Sequence, residues 1–258
     1  MNDRISTFRL RRRTPGSFLL VPCQKQGRSI RCQGQLEGAA AAILVACPKV
    51  VHIQEQPLQI WYAWQGKDDC AKITLLDEPP SAPRKRQKDA GTSYIVPDFL
   101  VEMVNGPKRL IEVKPSHRLA RPIAQRKLAV GRAFAVQEGW TFHVLTEKEL
   151  FQGPLLDNVR LLSRYRQCYV DKNLLEQLIL HVPPSGIELG HLLESNVLAD
   201  QSQLRLHILH LLATNRLCFH PQQPFCDSTP IFPGGTFSWD PFESVWAPNG
   251  SATDAPTG

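Results

Sequence analysis

Residues 94–115 read YIVPDFLVEMVNGPKRLIEVKP, and the fold turns on how this stretch pairs with itself. Apolar residues alternate with polar ones on both sides of the turn signal NGPK, which predicts an antiparallel hairpin. Alternate residues of a strand share a face. A register centred on Gly106 sets Asp98 opposite Lys114 and Leu100 opposite Glu112. Asp98, Glu112 and Lys114 then lie on one face, and Pro97, Phe99, Val101, Met103, Ile111 and Val113 on the other. The second face is apolar throughout and predicts core. A slip of one residue would bury all three charges, so the apolar set holds the register.

Diagonal neighbours on one sheet face lie about 7–8 Å apart, close enough for two acid side chains to meet at one ion. Carboxylates held together repel, and a hard divalent cation such as Mg²⁺ relieves the repulsion with oxygen ligands and retained waters. Such an ion lowers the pKa of a bound water and stabilises charge on a phosphate, while a neighbouring lysine orients the attacking water or offsets developing charge. The chemistry indicated is phosphodiester hydrolysis. An isolated ExK is also an ordinary exposed Glu–Lys pair, and spacing alone leaves both readings open.

Outward from the hairpin the chain is that of an ordinary globular protein, with 42% hydrophobic residues in 258. No run of about 18 apolar residues occurs, and the basic start MNDRISTFRLRRRTPG lacks the apolar core of a signal peptide, which predicts a cytoplasmic protein with no membrane association. Seven cysteines, odd in number and without CxxC or paired-histidine spacing, predict reduced thiols rather than disulfides or zinc ligands. The net charge of +6 is clustered at 9–13, at 84–88 (Arg84, Lys85, Arg86, Lys88) and across 108–127. Basic runs beside an acidic constellation point to nucleic acid.

GQLEGAAAAILVACP (34–48) predicts a helix with Leu36, Ala40, Ile43 and Leu44 at helical spacing. VVHIQ and LQIWYAW predict strands, LLDEPPSAPRKRQKDAG an exposed loop, 122–138 a helix and WTFHVLT a strand. That order predicts an α/β fold. From about 169 the chain becomes leucine-rich. Three short helices, the last capped by Asp200, precede the strand-like LCFHPQQPF and predict a small α-helical winged helix domain whose last helix turns Arg205, His207 and His210 outward. The resulting division is 1–168, 169–236 and a disordered tail at 237–258.

Pro97-Asp98, thirteen residues, then Glu112-Val113-Lys114 resembles the signature of the PD-(D/E)xK nucleases, whose core is a mixed sheet flanked by helices. QLE at 35–37, CPKVVHIQEQPLQIWY, YIVPDFLV, LIEVKP, Lys127 on a helix, EGWTFHVLTEKEL and LLDNVRLLSRY together resemble the TnsA family over roughly 15–168. These are the endonuclease subunits of heteromeric cut-and-paste transposases.

The resemblance implies that Glu37 supplies an acid from the first helix and is a metal ligand with Asp98, Glu112 and the Val113 carbonyl, and that Lys114 is the catalytic base-side residue. It implies Mg²⁺ as cofactor, with Mn²⁺ able to substitute. It further implies cleavage of the 5′ ends of a transposon in double-stranded DNA, beside a DDE-type (TnsB-like) transposase and an AAA+ (TnsC-like) ATPase. Read without it, Glu37 is a first-turn glutamate matched to the helix dipole. Lys127 is either a phosphate contact or a plain amphipathic lysine. His117 and Arg118, just beyond EVKP, read as residues near phosphate rather than as a general base. A restriction or junction-resolving nuclease of the same superfamily, and a non-catalytic assembly factor, stand as the alternatives.

Overall fold

The structure is a computed structural model that describes residues 18–66, 71–80, 90–194, 200–236 and 239–244. The basic runs at 9–13 and 84–88, with Arg84, Lys85, Arg86 and Lys88, lie outside the described residues, as does Cys70. The chain divides into two compact units, one of residues 1–41, 50–150 and 241–258, the other of 42–49 and 151–240. No described helix is long and apolar enough to cross a membrane.

The first unit is a mixed α/β fold. Its hairpin β1 (Leu19–Cys23) and β2 (Arg28–Cys32) leads into α1 (Gln35–Ala46). Next come β3 (Val50–Glu55), β4 (Ile60–Gln65), β5 (Lys72–Leu76) and β6 (Ala90–Ile95). The opening hairpin of the sequence reading becomes β7 (Phe99–Met103) and β8 (Arg109–Val113), followed by α2 (Pro122–Gln137), β9 (Thr141–Leu145) and α3 (Glu147–Leu150). One sheet has the order β3-β7-β8-β9, antiparallel except for the parallel β8–β9 pair. A parallel pair needs a crossover, and α2 supplies it. A second, antiparallel sheet has the order β5-β4-β6.

The hairpin register differs from the expected one. Phe99 pairs with Ile111 and Leu100 with Leu110, so Asp98 falls opposite Glu112, two positions short of Lys114. Gly106, at φ +136°, lies off the axis of pairing. A shift of two keeps every side chain on its face. Nor is the charged face wet along its length. Leu100 and Leu110 share it and are buried in a cluster with Tyr62, Trp64 and Val130 of α2, so both faces of β7–β8 are covered. The charges sit where the strands run out of this cover.

In α2, Ile123 and Lys127 are exposed, whereas Ala124, Leu128, Val130, Gly131 and Ala135 are buried and Phe134 packs against the same core. A Cβ at Gly131 would meet the Phe142 ring at 2.4 Å, so the absent side chain is what lets α2 lie on β9. Trp64 is buried beneath the Arg126 guanidinium, 4.4 Å from its ring centre, and Trp61 packs on Tyr94, consistent with aromatics that serve the core.

In the second unit, α4 (Leu155–Ser163), α5 (Lys172–His181), β10 (Ile187–Glu188), α6 (Leu189–Glu194), α7 (Gln201–Ala213), β11 (Leu217–Cys218) and β12 (Pro230–Pro233) follow in order, with a small sheet β10-β12-β11. Leucines from α5, α6 and α7 form one core with Leu217 and Ile231. The unit begins before the border expected at 168. The buried Asn158 of α4 donates through its amide to the Pro221 and Gln223 carbonyls at 2.8 Å, and Leu155, Leu156 and Val159 are buried.

Asp200 stands at the N-cap position of α7 but makes no side-chain capping bond, its carboxylate accepting instead from the Ser202 hydroxyl, and His207 does not face outward. It is buried, its Nε2 accepts from the Asp171 N–H at 2.9 Å, and its Nδ1 bonds the Gln203 carbonyl. His210 bonds the Tyr165 carbonyl, which leaves Arg205 as the exposed member of the expected set. Part of the expected disordered tail is ordered. α8 (Pro241–Ser244) buries Phe242 against His143 and Arg109 of the first unit. Residues 245–258 lie outside the described residues.

Candidate active site

Asp98 is pinned through its backbone. Its N–H donates to the Ile111 carbonyl at 3.0 Å, and its own carbonyl accepts from the Gln56 N–H at 2.9 Å. The carboxylate lies just before β7 and accepts from the Val113 N–H at 2.6 Å through Oδ2. Glu112, near the end of β8, accepts a close hydrogen bond from Lys114 Nζ, and both side chains are largely covered, at 17% and 19% exposed. Lys114 is itself fixed by its N–H to the Leu145 carbonyl of β9 at 2.8 Å. Glu37 stands in the first turn of α1, where Oε2 accepts from the Gln33 N–H at 2.6 Å. A glutamate that reaches back to an open donor at a helix start is a capping arrangement. Here the same side chain also turns toward Glu112 and Asp98.

The electrostatics show that the three acids face one another. Burial, then the charges of Glu112 and Glu37, push the Asp98 carboxyl well above the usual range, against the opposing pull of the Val113 N–H and Lys114. Burial and Glu112 likewise push Glu37 up, with the Gln33 N–H opposing. The buried Cys32 thiol beside them is raised to about 12 by burial and by Glu37, Glu55 and Asp98. One lysine therefore serves a crowd of acids.

Among the described residues, no three His, Cys, Asp or Glu side chains are gathered tightly enough to hold a metal ion on their own. Mg²⁺ does not need such a cage, since it keeps several waters and takes one or two carboxylates with substrate phosphate. Asp98, Glu112 and the Val113 carbonyl are oxygen donors of that kind, with Glu37 nearby. Mutual repulsion among partly buried carboxylates is the condition a cation relieves.

Residues 47–147 match the family model described as TnsA-like endonuclease N terminal. The chain carries a TnsA-like endonuclease domain. That segment, less than half of the 258 residues, is similar to the N-terminal domain of TnsA-like endonucleases. The TnsA-like match contains Asp98, Glu112, Val113 and Lys114, while Glu37 and residues 151–240 of the second unit lie outside it. A comparison with curated proteins gave no match.

The structure thus brings Glu37 together with Asp98, Glu112 and Lys114 of the matched segment. His117 and Arg118 are exposed in the 3-10 turn Ser116–Arg118 directly after Lys114, and Lys127 is exposed on α2. Glu147 fastens that turn by accepting from the Ser116 N–H at 2.9 Å and from its hydroxyl, which holds the Glu147 carboxyl down at about 2. Sequence reading missed the hairpin at 19–32 and the Gln56 N–H that seats Asp98. The apolar run LLVPC, the turn at Gly27 and the alternating RSIRC were the available signal for the hairpin. Gln56, at φ +44°, carries no such signal, because left-handed backbone favours glycine or asparagine.

Proposed function

We propose that the protein is a Mg²⁺-dependent endodeoxyribonuclease that cuts the 5′ ends of a transposon, leaving 5′-phosphate and 3′-hydroxyl. In this reading it works beside a DDE-type, TnsB-like transposase and under a TnsC-like AAA+ ATPase. The observation that supports it is the gathering of Glu37 with Asp98, Glu112 and Lys114 at the end of a mixed sheet, the last three within the segment that matches a TnsA-like endonuclease. Mg²⁺ or Mn²⁺, when bound, would supply an activated water and charge stabilisation on the phosphate.

Asp98 and Glu112 would hold the cation with the Val113 carbonyl, and Glu37 would orient a coordinated water from the opposite element. Lys114 would aim Glu112 through their ion pair and present its ammonium to the attacking water or to a non-bridging phosphate oxygen. Water attacks phosphorus, the P–O3′ bond breaks, and the departing oxygen takes up a proton. His117, Arg118 and Lys127, with Arg84, Lys85, Arg86 and Lys88, would contact backbone phosphates. Such contacts position the duplex without reading its sequence.

We read the second unit, with its order α5-β10-α6-α7-β11-β12, as a winged helix. With His207 buried, α7 offers few groups for reading bases, which favours a protein partner for this unit. Free thiols among the described cysteines suit a reducing, cytoplasmic setting.

The test is nicking of duplex DNA carrying the transposon end, with Mg²⁺ and the candidate transposase and ATPase present. Wild type is expected to nick one strand at the element's 5′ end. Asp98→Ala and Lys114→Ala are expected to be inert while folded, and unchanged nicking in both would refute the assignment.

A further inference from the structure

The hairpin β1–β2 lies outside the matched segment 47–147, yet it touches β3, the neighbour of β7, and packs through Leu19 on α1, which carries Glu37. β3 is an edge of its four-stranded sheet. Side chains from the hairpin bond to that edge in place of a further strand. Lys25 Nζ donates to the Val50 carbonyl at 2.8 Å, the Gln26 side-chain oxygen accepts from the Ile53 N–H at 3.2 Å, and Arg28 donates to the Ile53 carbonyl at 2.9 Å. The strongest link is the fork of Arg28 on the buried Glu55, with both guanidinium nitrogens in contact at 2.8 and 2.7 Å. A planar fork on a carboxylate fixes direction as well as distance.

Each end of this link leads to a site carboxylate. Glu55 is followed by Gln56, whose N–H seats the Asp98 carbonyl. On the other side β2 runs through the buried Cys32 to Gln33, whose N–H holds Glu37, and Leu19 of β1 packs on the first turn of α1 so closely that a Cβ at Gly38 would meet it at 2.8 Å.

We infer that Arg28–Glu55 is a positioning pair that clamps the hairpin to β3, fixes Glu37 relative to Asp98 and thereby sets the affinity of the carboxylate group for a divalent cation. The pair touches neither cation nor DNA. It acts through the Gln56 and Gln33 amides. The inference rests on the metal-dependent reading above.

The experiment titrates the full-length, DNA-free protein with Mn²⁺, followed by water-proton relaxation, in Glu55→Gln and in Arg28→Gln/Glu55→Gln. The double variant leaves no unpaired buried charge and so guards against misfolding. Both are expected to weaken Mn²⁺ binding by about tenfold, in the range that supporting residues of metal sites give. Leu128→Ala, which truncates a buried α2 side chain away from the clamp, is expected to lower the melting temperature and leave Mn²⁺ affinity unchanged. Wild-type affinity in both clamp variants, or an equal loss in Leu128→Ala, would overturn the inference. Asp98→Ala separates the two readings: if it binds Mn²⁺ as wild type does, the carboxylate group is not the cation site, and the clamp inference falls with it.

Discussion

Two groups of buried acids sit close together in the first unit and are treated oppositely. Glu55 has a full partner, since Arg28 meets both of its oxygens and the burial cost is offset by two charge-assisted bonds. Asp98, Glu112 and Glu37 share one lysine and two backbone N–H donors, and burial together with their mutual repulsion raises both Asp98 and Glu37. The first group is balanced and braces the fold. The second is short of positive charge where the strands end, which is the arrangement a cation and a phosphate can complete. The difference between structural and functional acids here lies in what remains unbalanced.

Breaking the unbalanced group should have the largest effect. Asp98→Ala is expected to lower end nicking by about a thousandfold, the scale of losing a central charge-stabilising element, with circular dichroism unchanged. Breaking the balanced group from the arginine side should instead damage the fold. Arg28→Ala strands a buried carboxylate, and because Arg28 is itself about 36% exposed the loss is expected near 2 kcal/mol, below the full cost of breaking a buried pair. Urea denaturation measures it. A stability unchanged within about 0.5 kcal/mol would mean that Glu55 is not held as described.

The same contrast has a pH signature. Asp98 and Glu37 are raised, so between the ordinary carboxylate range and their raised values the folded chain holds more protons than the unfolded chain, and stability falls as pH rises through that window. Asp98→Asn removes the larger part of this slope. It should therefore raise the melting temperature of the metal-free protein at neutral pH while abolishing nicking, and the gain should vanish near pH 3, where the carboxyl is protonated in both states. Adding Mg²⁺ should stabilise wild type more than Asp98→Asn. A variant that melts below wild type at neutral pH would show that the acids do not repel.

Much of this contrast was legible in residues 94–115. The apolar alternation gave the parity of β7 and β8, and parity alone puts Asp98, Glu112 and Lys114 on one face, even though the register is displaced by two. The displacement was hidden because a Gly-Pro turn allows several pairings of equal parity. The helix at 35–46 and the α2 crossover were also legible, through alanine content and through helical spacing closed by Gly139. The balancing half was not. Arg28 and Glu55 are 27 residues apart, and a long-range ion pair leaves no periodic trace in one sequence. His207 misled for a related reason. On α7 it occupies a polar-looking position, but the backbone N–H that its ring accepts, that of Asp171, lies 36 residues earlier.

The smallest expected effect concerns the exposed basic residues around the acids. Lys127 stands on the solvent face of α2 and His117 and Arg118 in the turn after Lys114, so none supports the fold through burial. If Lys127 neutralises one phosphate, Lys127→Ala should weaken duplex binding alike for end-containing and random DNA. The slope of log affinity against log salt should then fall by about one unit. Arg118→Ala should do the same, and the two losses should add, because separate phosphate contacts couple weakly. Fluorescence anisotropy across a salt series distinguishes this from a site effect, since Asp98→Ala should leave the slope unaltered or steeper. A Lys127→Ala variant whose slope matches wild type would mark Lys127 as an ordinary helix-surface lysine and move the duplex away from α2.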